Sequence, residues 1–141
     1  MGIYYRYNLK DQSCESDYFN SSNIYKIYKY NYIVYLNCCN NKFITLPILP
    51  DSLIKFNCSF NKLTKLPILP NNLKILRCNN NKLINLPILP NNLIELYCDY
   101  NKLNYLSKIN KQILIYYDKN IIKYINEYNL HTIQIIIYYK Y

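Results

Sequence analysis

The sequence predicts an α/β-type repeat solenoid that is mostly β, a single domain in which short units stack on one another. Three observations predict this fold. Cysteine, asparagine and leucine recur in fixed columns with a period of 20 residues, a short β-like segment lies inside each unit, and paired prolines recur at one phase in three units. A length of 141 residues leaves room for one domain and for a real core.

Four regular units occupy residues 33–109, and each reads LxxLxCxxNxLxxLPILPxx or a close variant. The cysteine column is Cys38, Cys58, Cys78 and Cys98, and the asparagine column is Asn41, Asn61, Asn81 and Asn101. Apolar residues hold the other columns, such as Leu36, Phe56, Leu76 and Leu96. A fixed period of about 20 to 29 residues around LxxLxLxxN/CxL is the signature of a leucine-rich repeat.

This pattern resembles the short repeats of bacterial effector proteins and of leucine-rich-repeat proteins in giant DNA viruses of protists. The resemblance implies a short right-handed arc with a parallel concave sheet and a proline-rich, extended convex side. Asn, Lys, Ile and Tyr, whose codons are AT-rich, are abundant, which favours the viral or protist group. Because the amino terminus lacks the pattern of a secretory signal, we expect an intracellular protein, in the host cytoplasm if it is viral.

Each column has a physical reason. The second leucine and the cysteine of a unit lie two positions apart, so on a strand both point into the core, while the residue between them points outward. The asparagine side chain can bond backbone groups of the turn that leaves the strand, and stacking makes these side chains a ladder. Proline fixes φ and has no N–H, so the convex segment should be extended or a short turn rather than a full helix.

The two ends of the chain depart from the repeat. Residues 1–32 fit no register, and we predict that they form an amino-terminal cap, whose structure the sequence does not specify. Residues 110–141 are predicted to be degenerate repeats and a carboxy-terminal cap. A fifth unit is expected from Ile115 to Ile125, one residue early, and a sixth strand near Leu130 and Ile135.

No catalytic, metal or cofactor site is indicated. Cysteines 20 residues apart lack the clustered spacing of zinc ligands, and one inward cysteine per unit is better explained as a small core residue. Cys39 should be exposed but has no nearby group that would activate its thiol. No catalytic motif surrounds the single histidine, His131. We therefore expect a protein that is not an enzyme and needs no cofactor.

The outward strand positions are the predicted partner-binding site, because tyrosine and arginine are favoured at the energetic centres of interfaces. Its residues are Tyr35, Asn37, Lys55, Asn57, Ile75, Arg77, Asn79, Glu95, Tyr97, Asp99 and Tyr116. The same alternation, continued past the strand, predicts that Ser59 also faces outward. A protein partner of unknown identity is expected. For any single residue, an ordinary solvated position dictated by the strand alternation explains the pattern as well.

An alternative site for an anion or a nucleic acid follows the lysines after the ladder asparagines, together with the basic, tyrosine-rich termini. These lysines are Lys42, Lys62, Lys82 and Lys102, which stacking would align along one rim. The formal net charge of +9 favours such a partner. AT-rich codons explain the same basic excess, and acidic residues are interleaved with it. No run of 18 uncharged apolar residues suggests a transmembrane segment.

Overall fold

Seven short strands form the sheet of this chain in a computed structural model that describes residues 2–7, 14–19, 24, 33–104, 106 and 113–116. The strands are β1 (Gly2–Tyr7), β2 (Cys14–Phe19), β3 (Ile33–Asn37), β4 (Lys55–Asn57), β5 (Ile75–Arg77), β6 (Glu95–Tyr97) and β7 (Leu114–Tyr116). Their order in the sheet is β2-β1-β3-β4-β5-β6-β7. These ranges contain no α-helix. The predicted, mostly β repeat solenoid is confirmed.

The strands from β3 to β7 run parallel, and each comes from one stacked unit. Phe56 lies opposite Leu76, which in turn lies opposite Leu96, so residues 20 positions apart are neighbours across the sheet. Neighbouring strands of a sheet are about 4.8 Å apart. The step from β6 to β7 is one residue shorter, because Leu96 pairs with Ile115.

The first two strands extend the sheet beyond β3. Strand β1 pairs antiparallel with both β2 and β3. Its register against β3 shifts between Tyr5, which lies opposite Tyr35, and Arg6, which lies opposite Ile33. The antiparallel pair therefore covers backbone groups of β3 that the parallel strands do not reach, as an end of a solenoid requires. A cap that includes the whole of residues 1–32 stays a prediction.

The recurring apolar columns form a continuous interior. Leu36 and Cys38, two positions apart in the first unit, are both buried. Their equivalents in the next three units are buried as well: Phe56, Cys58, Leu76, Cys78, Leu96 and Cys98. The same holds for the residue that opens each unit and the one that follows the turn: Ile33, Leu53, Leu73, Leu93, Phe43, Leu63, Leu83 and Leu103. Burial of each leucine, isoleucine or phenylalanine in this set stabilises the fold by roughly 1.5–3 kcal/mol.

The proline pairs lie on the side of the solenoid opposite the sheet, in segments without a helix or a strand. In the second unit Leu66 and Leu69 point inward and are buried, whereas Ile68 between them is 89% exposed. Inward side chains three residues apart match the three-residue turn of a polyproline II segment. The backbone N–H of Leu73 then donates to the carbonyl of Pro70 at 3.1 Å and closes the turn into the next strand.

The asparagine column forms the predicted ladder. The Nδ2 group of Asn61 donates to the carbonyl of Cys58 at 3.0 Å in its own unit and to that of Cys38 at 2.9 Å in the preceding unit. Its Oδ1 accepts from the backbone N–H of Phe43 at 3.1 Å. Asn61 is buried, so these bonds satisfy backbone groups that water does not reach.

The residue before each ladder asparagine has a left-handed backbone. These residues are Asn40, Phe60, Asn80 and Tyr100, with φ between 53° and 56°. The conformation turns the chain sharply out of the strand, so that the next side chain can point back into the core. Asparagine tolerates positive φ, but a bulky residue does so at a cost. A turn was predicted at this point, but its left-handed conformation was not.

Several predicted features lie outside the described residues. These are the part of the fifth unit after Tyr116, the sixth strand with Leu130 and Ile135, and His131. Within the described ranges, no helix has the length and apolar character needed to cross a membrane.

Candidate binding face

The solvent-facing side chains of β3 to β7 and of the first residues after each strand form a surface that we call the sheet face. One column on it contains Tyr35, Lys55, Ile75, Glu95 and Leu114, and the next contains Asn37, Asn57, Arg77, Tyr97 and Tyr116. Asn79 and Asp99 follow β5 and β6. The strand residues of the predicted partner-binding site are thus brought to one side of the sheet.

Arg77, Tyr97 and Tyr116 form a stack along the second column. The ring centroids of Tyr97 and Tyr116 are 4.1 Å apart, and the rings are 6° from parallel. From the other neighbouring strand, Cζ of Arg77 lies 4.9 Å from the centroid of the Tyr97 ring. The parallel register produces the stack, because strands about 4.8 Å apart carry equivalent side chains at nearly the distance that flat groups need for contact.

Glu95 holds the polar end of this stack. The hydroxyl of Tyr97 donates to Oε2 of Glu95 at 3.3 Å. Desolvation, the hydrogen bond with Tyr116 and the charge of Glu95 raise the pKa of Tyr97 to about 12, against the opposing charge of Arg77. The hydroxyl therefore stays neutral and remains a donor far into the alkaline range.

Charge on the sheet face changes sign along the solenoid. Lys55 and Arg77 bring positive charge to β4 and β5, whereas Glu95 on β6 and Asp99 just after it bring negative charge. Lys55 and Glu95 share a column but are two strands apart, which is about 10 Å. That separation exceeds the Debye length of about 8 Å at physiological salt. Arg77, by contrast, lies on the strand next to Glu95, so the basic and acidic halves meet at the stack of Arg77 and Tyr97.

A cleft of about 450 Å³ opens on the basic half of the sheet face, across β3, β4 and β5. Its lining consists of Val34, Tyr35, Ile54, Lys55, Phe56, Asn57, Ile75 and Arg77. The volume is within the range of small-ligand and side-chain pockets, roughly 300–1,000 Å³. Val34 and Ile54 were missed from the sequence because they precede the alternating strand positions. Their shared column, which is apolar in three of the four units, was the available signal.

Two asparagines of the predicted site also use their side-chain oxygens within the fold. Oδ1 of Asn37 accepts from the backbone N–H of Cys39, and Oδ1 of Asn57 accepts from that of Ser59, both at 3.1 Å. Bonds from a side chain to the backbone two residues later shape turns. Asn37 and Asn57 therefore help to form the turns that follow their strands. The alternation of side chains along a strand did not reveal this structural function.

The alternation of inward- and outward-facing side chains does not continue past the ends of the strands. Ser59 was predicted to face outward but is buried, because β4 ends at Asn57 and alternation no longer applies. Its Oγ donates to Oδ1 of Asn79 at 2.5 Å. Asn79 and Cys39 were both expected to be exposed, and both are half-buried. The carbonyl oxygen of the Asn79 side chain is thus already engaged within the chain.

Solved structures share this arrangement of stacked units. YopM from Yersinia enterocolitica WA-314 is 30% identical, with a TM-score of 0.59 and a match that covers 64% of this chain. A leucine-rich-repeat domain of a Shigella effector is 24% identical, with a TM-score of 0.50 over 63% of this chain. The chain is a leucine-rich-repeat solenoid.

The match spans only 23% of the YopM chain and 63% of the Shigella domain. The likeness to the Shigella domain concerns the fold alone. No protein-family model and no curated protein matches the sequence. In a leucine-rich-repeat solenoid the strands line the inside of a horseshoe, so the sheet face is the concave side.

The rim of the solenoid next to the ladder carries the predicted lysine row: Lys42, Lys62, Lys82 and Lys102, all exposed. The backbone of the row is in register from unit to unit. The N–H of Lys62 donates to the carbonyl of Phe43 at 2.9 Å, and that of Lys82 donates to Leu63 at 2.9 Å. Equivalent backbone positions therefore stack, and the positive charges emerge along one side of the solenoid.

The cysteine column is a part of the core. Burial raises the pKa of the Cys38, Cys58 and Cys78 thiols well above their usual value. These thiols are uncharged at neutral pH and are inaccessible to a substrate. In the part of the chain that the structure describes, no group of three or more His, Cys, Asp or Glu side chains could hold a metal ion.

Proposed function

We propose that this solenoid is a non-enzymatic interaction module that binds a protein partner on its concave sheet face. The observation that carries the proposal is the stack of Arg77, Tyr97 and Tyr116 at 4.9 Å and 4.1 Å. Arginine and tyrosine are enriched among the few residues that contribute most of the binding energy at interfaces. Here they lie side by side on a surface already held in place by strand pairing.

Preorganisation is the physical reason for favouring this face. Binding normally requires long side chains to become ordered, at about 0.5–1.5 kcal/mol each. Arg77 and Tyr97 are already restrained by their mutual contact, and the Tyr97 hydroxyl is held by Glu95. A partner that docks on this stack therefore loses less of its contact energy to ordering than it would on a mobile surface.

A capture experiment with matched variants tests the proposal. The full chain, immobilised, is incubated with an extract of the cells that express it, and retained proteins are identified. The sheet-face variant carries Tyr35→Ala, Arg77→Ala and Tyr97→Ala. The control carries Ile48→Ala, Ile68→Ala and Ile88→Ala, three side chains on the opposite, convex side that are 76%, 89% and 89% exposed.

We expect a partner that the wild type and the convex variant retain and that the sheet-face variant loses. Both variants change exposed or half-buried positions, so both should keep the melting temperature of the wild type within a few degrees. Retention of every captured protein by the sheet-face variant would contradict the proposal.

A second candidate function, anion or nucleic-acid binding, is favoured by the exposed lysine row and the formal net charge of +9. Phosphate contacts release counterions, so such binding weakens steeply as salt is raised. Affinity for a random RNA should then fall with salt, survive Arg77→Ala and Tyr97→Ala, and be lost when the lysine row is changed to glutamine. Binding that depends on Arg77 and Tyr97 and responds weakly to salt would instead favour the protein partner.

A further inference from the structure

The cleft on the basic half of the sheet face combines two kinds of surface. Val34, Ile54 and Ile75 supply aliphatic walls. Lys55 and Arg77, on adjacent strands, supply two cations at the same opening. A volume of about 450 Å³ admits one or two side chains of a partner but not a folded element. The cleft therefore fits a short segment that carries both an apolar group and negative charge.

The acidic side chains of the sheet face lie elsewhere. Glu95 and Asp99 belong to the fourth unit and do not line the cleft. Glu95 also accepts the hydroxyl of Tyr97. Within the described residues, the positive charge at the cleft is thus not matched by a carboxylate in its lining. An external carboxylate is the group that complements it.

From this complementarity we infer that the cleft binds an acidic peptide segment of the partner. An aliphatic side chain enters between Val34, Ile54 and Ile75, and flanking carboxylates pair with Lys55 and Arg77. This inference rests on the proposed binding of a protein at the sheet face and names the chemistry of what is recognised there.

Aliphatic walls favour a peptide over a nucleic acid. Single-stranded nucleic acids are held by aromatic platforms on which bases stack, next to a basic groove. Tyr97 already has Arg77 and Tyr116 against it. Of the two aromatic residues that line the cleft, Phe56 is buried, so a base would find one ring, Tyr35, among aliphatic walls. Arginine, by contrast, pairs with a carboxylate through two parallel hydrogen bonds. Lys55 supplies a second charge one strand away.

The test uses the full chain and three acetylated hexapeptides of defined composition. The first alternates glutamate with leucine, the second alternates glutamine with leucine, and the third alternates glutamate with serine. Binding is measured by calorimetry and by the chemical-shift changes of isotope-labelled protein. The cleft variant carries Lys55→Gln and Arg77→Gln. Its control carries Lys62→Gln and Lys82→Gln, which remove the same charge from exposed positions on the rim.

We expect the glutamate–leucine peptide to bind more tightly than either of the others. The cleft variant should weaken this binding about tenfold, the combined effect of two partly exposed charge pairs. The rim variant should weaken it less than about twofold, because removal of distant charge acts only through screened attraction. Equal losses from the cleft and rim variants would overturn the inference, as would tighter binding of a polyuridine oligonucleotide that the cleft variant abolishes.

Capture of the cellular partner separates this inference from the proposed function. If Tyr97→Ala lowers capture and Lys55→Gln does not, the sheet face binds a protein but the cleft inference is wrong. If Lys55→Gln lowers capture and Lys62→Gln does not, both stand. If none of these substitutions lowers capture, both fail.

Discussion

Oδ1 of Asn81 accepts the backbone N–H of Leu63 in the preceding unit at 3.0 Å. The Nδ2 group of the same side chain donates to the carbonyls of Cys58 and Cys78 at 3.0 Å and 3.1 Å. One amide therefore satisfies buried backbone groups in two units at once. An aspartate could accept but not donate, and a serine is too short to do both, which explains why the column contains asparagine in all four units.

The first prediction compares Asn81 with its neighbour Asn79. Asn81→Ala leaves the buried N–H of Leu63 without its acceptor. It also removes one of two amide donors from each of the carbonyls of Cys58 and Cys78, which keep Asn61 and Asn101. The free energy of unfolding should fall by about 2–3 kcal/mol. Asn79→Ala removes one bond, from the Ser59 hydroxyl, and should cost less than about 1 kcal/mol. Urea denaturation followed by circular dichroism measures both. Equal midpoints would contradict the assigned ladder.

The shared interior could be predicted because period-two alternation and a 20-residue period are properties that the residues themselves display. Leu36 and Cys38 had to point the same way if the segment was a strand, and both are buried. The left-handed turn was not predictable in the same way. Phe60 and Tyr100 are residue types that disfavour positive φ, so two of the four units contain no sign of it, and only Asn40 and Asn80 were suggestive.

The second prediction concerns alkaline pH. The folded thiols of Cys38, Cys58 and Cys78 have raised pKa values, so the folded chain keeps protons that the unfolded chain releases above about pH 9. Stability from these groups is complete below that pH and is lost as pH rises. Each thiol contributes a slope of up to about 1.4 kcal/mol per pH unit. The free energy of unfolding should therefore fall steeply between pH 9 and pH 10.5.

A pair of variants isolates the thiol contribution. Cys78→Ala should reduce the alkaline slope by up to about 1.4 kcal/mol per pH unit. Ser59→Ala, which changes a buried side chain that does not titrate in this range, should lower stability equally at each pH. An unchanged slope in Cys78→Ala would show that this thiol is not buried as described.

The third prediction concerns the strained turn at Phe60. Its φ of 56° is unfavourable for a bulky residue but is tolerated by asparagine, which is present at two of the four equivalent positions. Because the Phe60 side chain is 55% exposed, Phe60→Asn gives up little packing and should stabilise the fold by about 0.5–1 kcal/mol. Thr64→Asn, at an exposed position without positive φ, should be neutral or slightly destabilising.

The fourth prediction is a coupling between Arg77 and Tyr97. The free energies of unfolding of Arg77→Met, Tyr97→Leu and the combined variant form a double-mutant cycle. It should give an interaction free energy of about 0.5–1 kcal/mol, as for a partly exposed cation–π contact. The same cycle on Arg77 and Tyr35, which lie two strands apart, should give a value near zero. Similar interaction free energies for the two pairs would show that the contact between Arg77 and Tyr97 does not itself stabilise the fold.

The candidate site was predictable to the extent that it follows from strand register. The outward-facing positions, counted along each unit, place Arg77 beside Tyr97 and Tyr97 beside Tyr116, and those neighbours stack. The cleft was not predictable by that count, because Val34 contributes from the start of β3 and Ile54 from just before β4. Side-chain conformation and the path into the strand determine the cleft, and neither is visible in a repeat pattern.

Site-specific photo-crosslinking tests the central claim, that a protein partner docks on the sheet face, most directly. Benzoylphenylalanine replaces Leu114, on the sheet face beside Glu95, in one protein and Ile68, 89% exposed on the convex side, in another. After irradiation with the captured partner, we predict a covalent adduct from position 114 and none from position 68. An adduct from position 68 alone would contradict the proposed binding face.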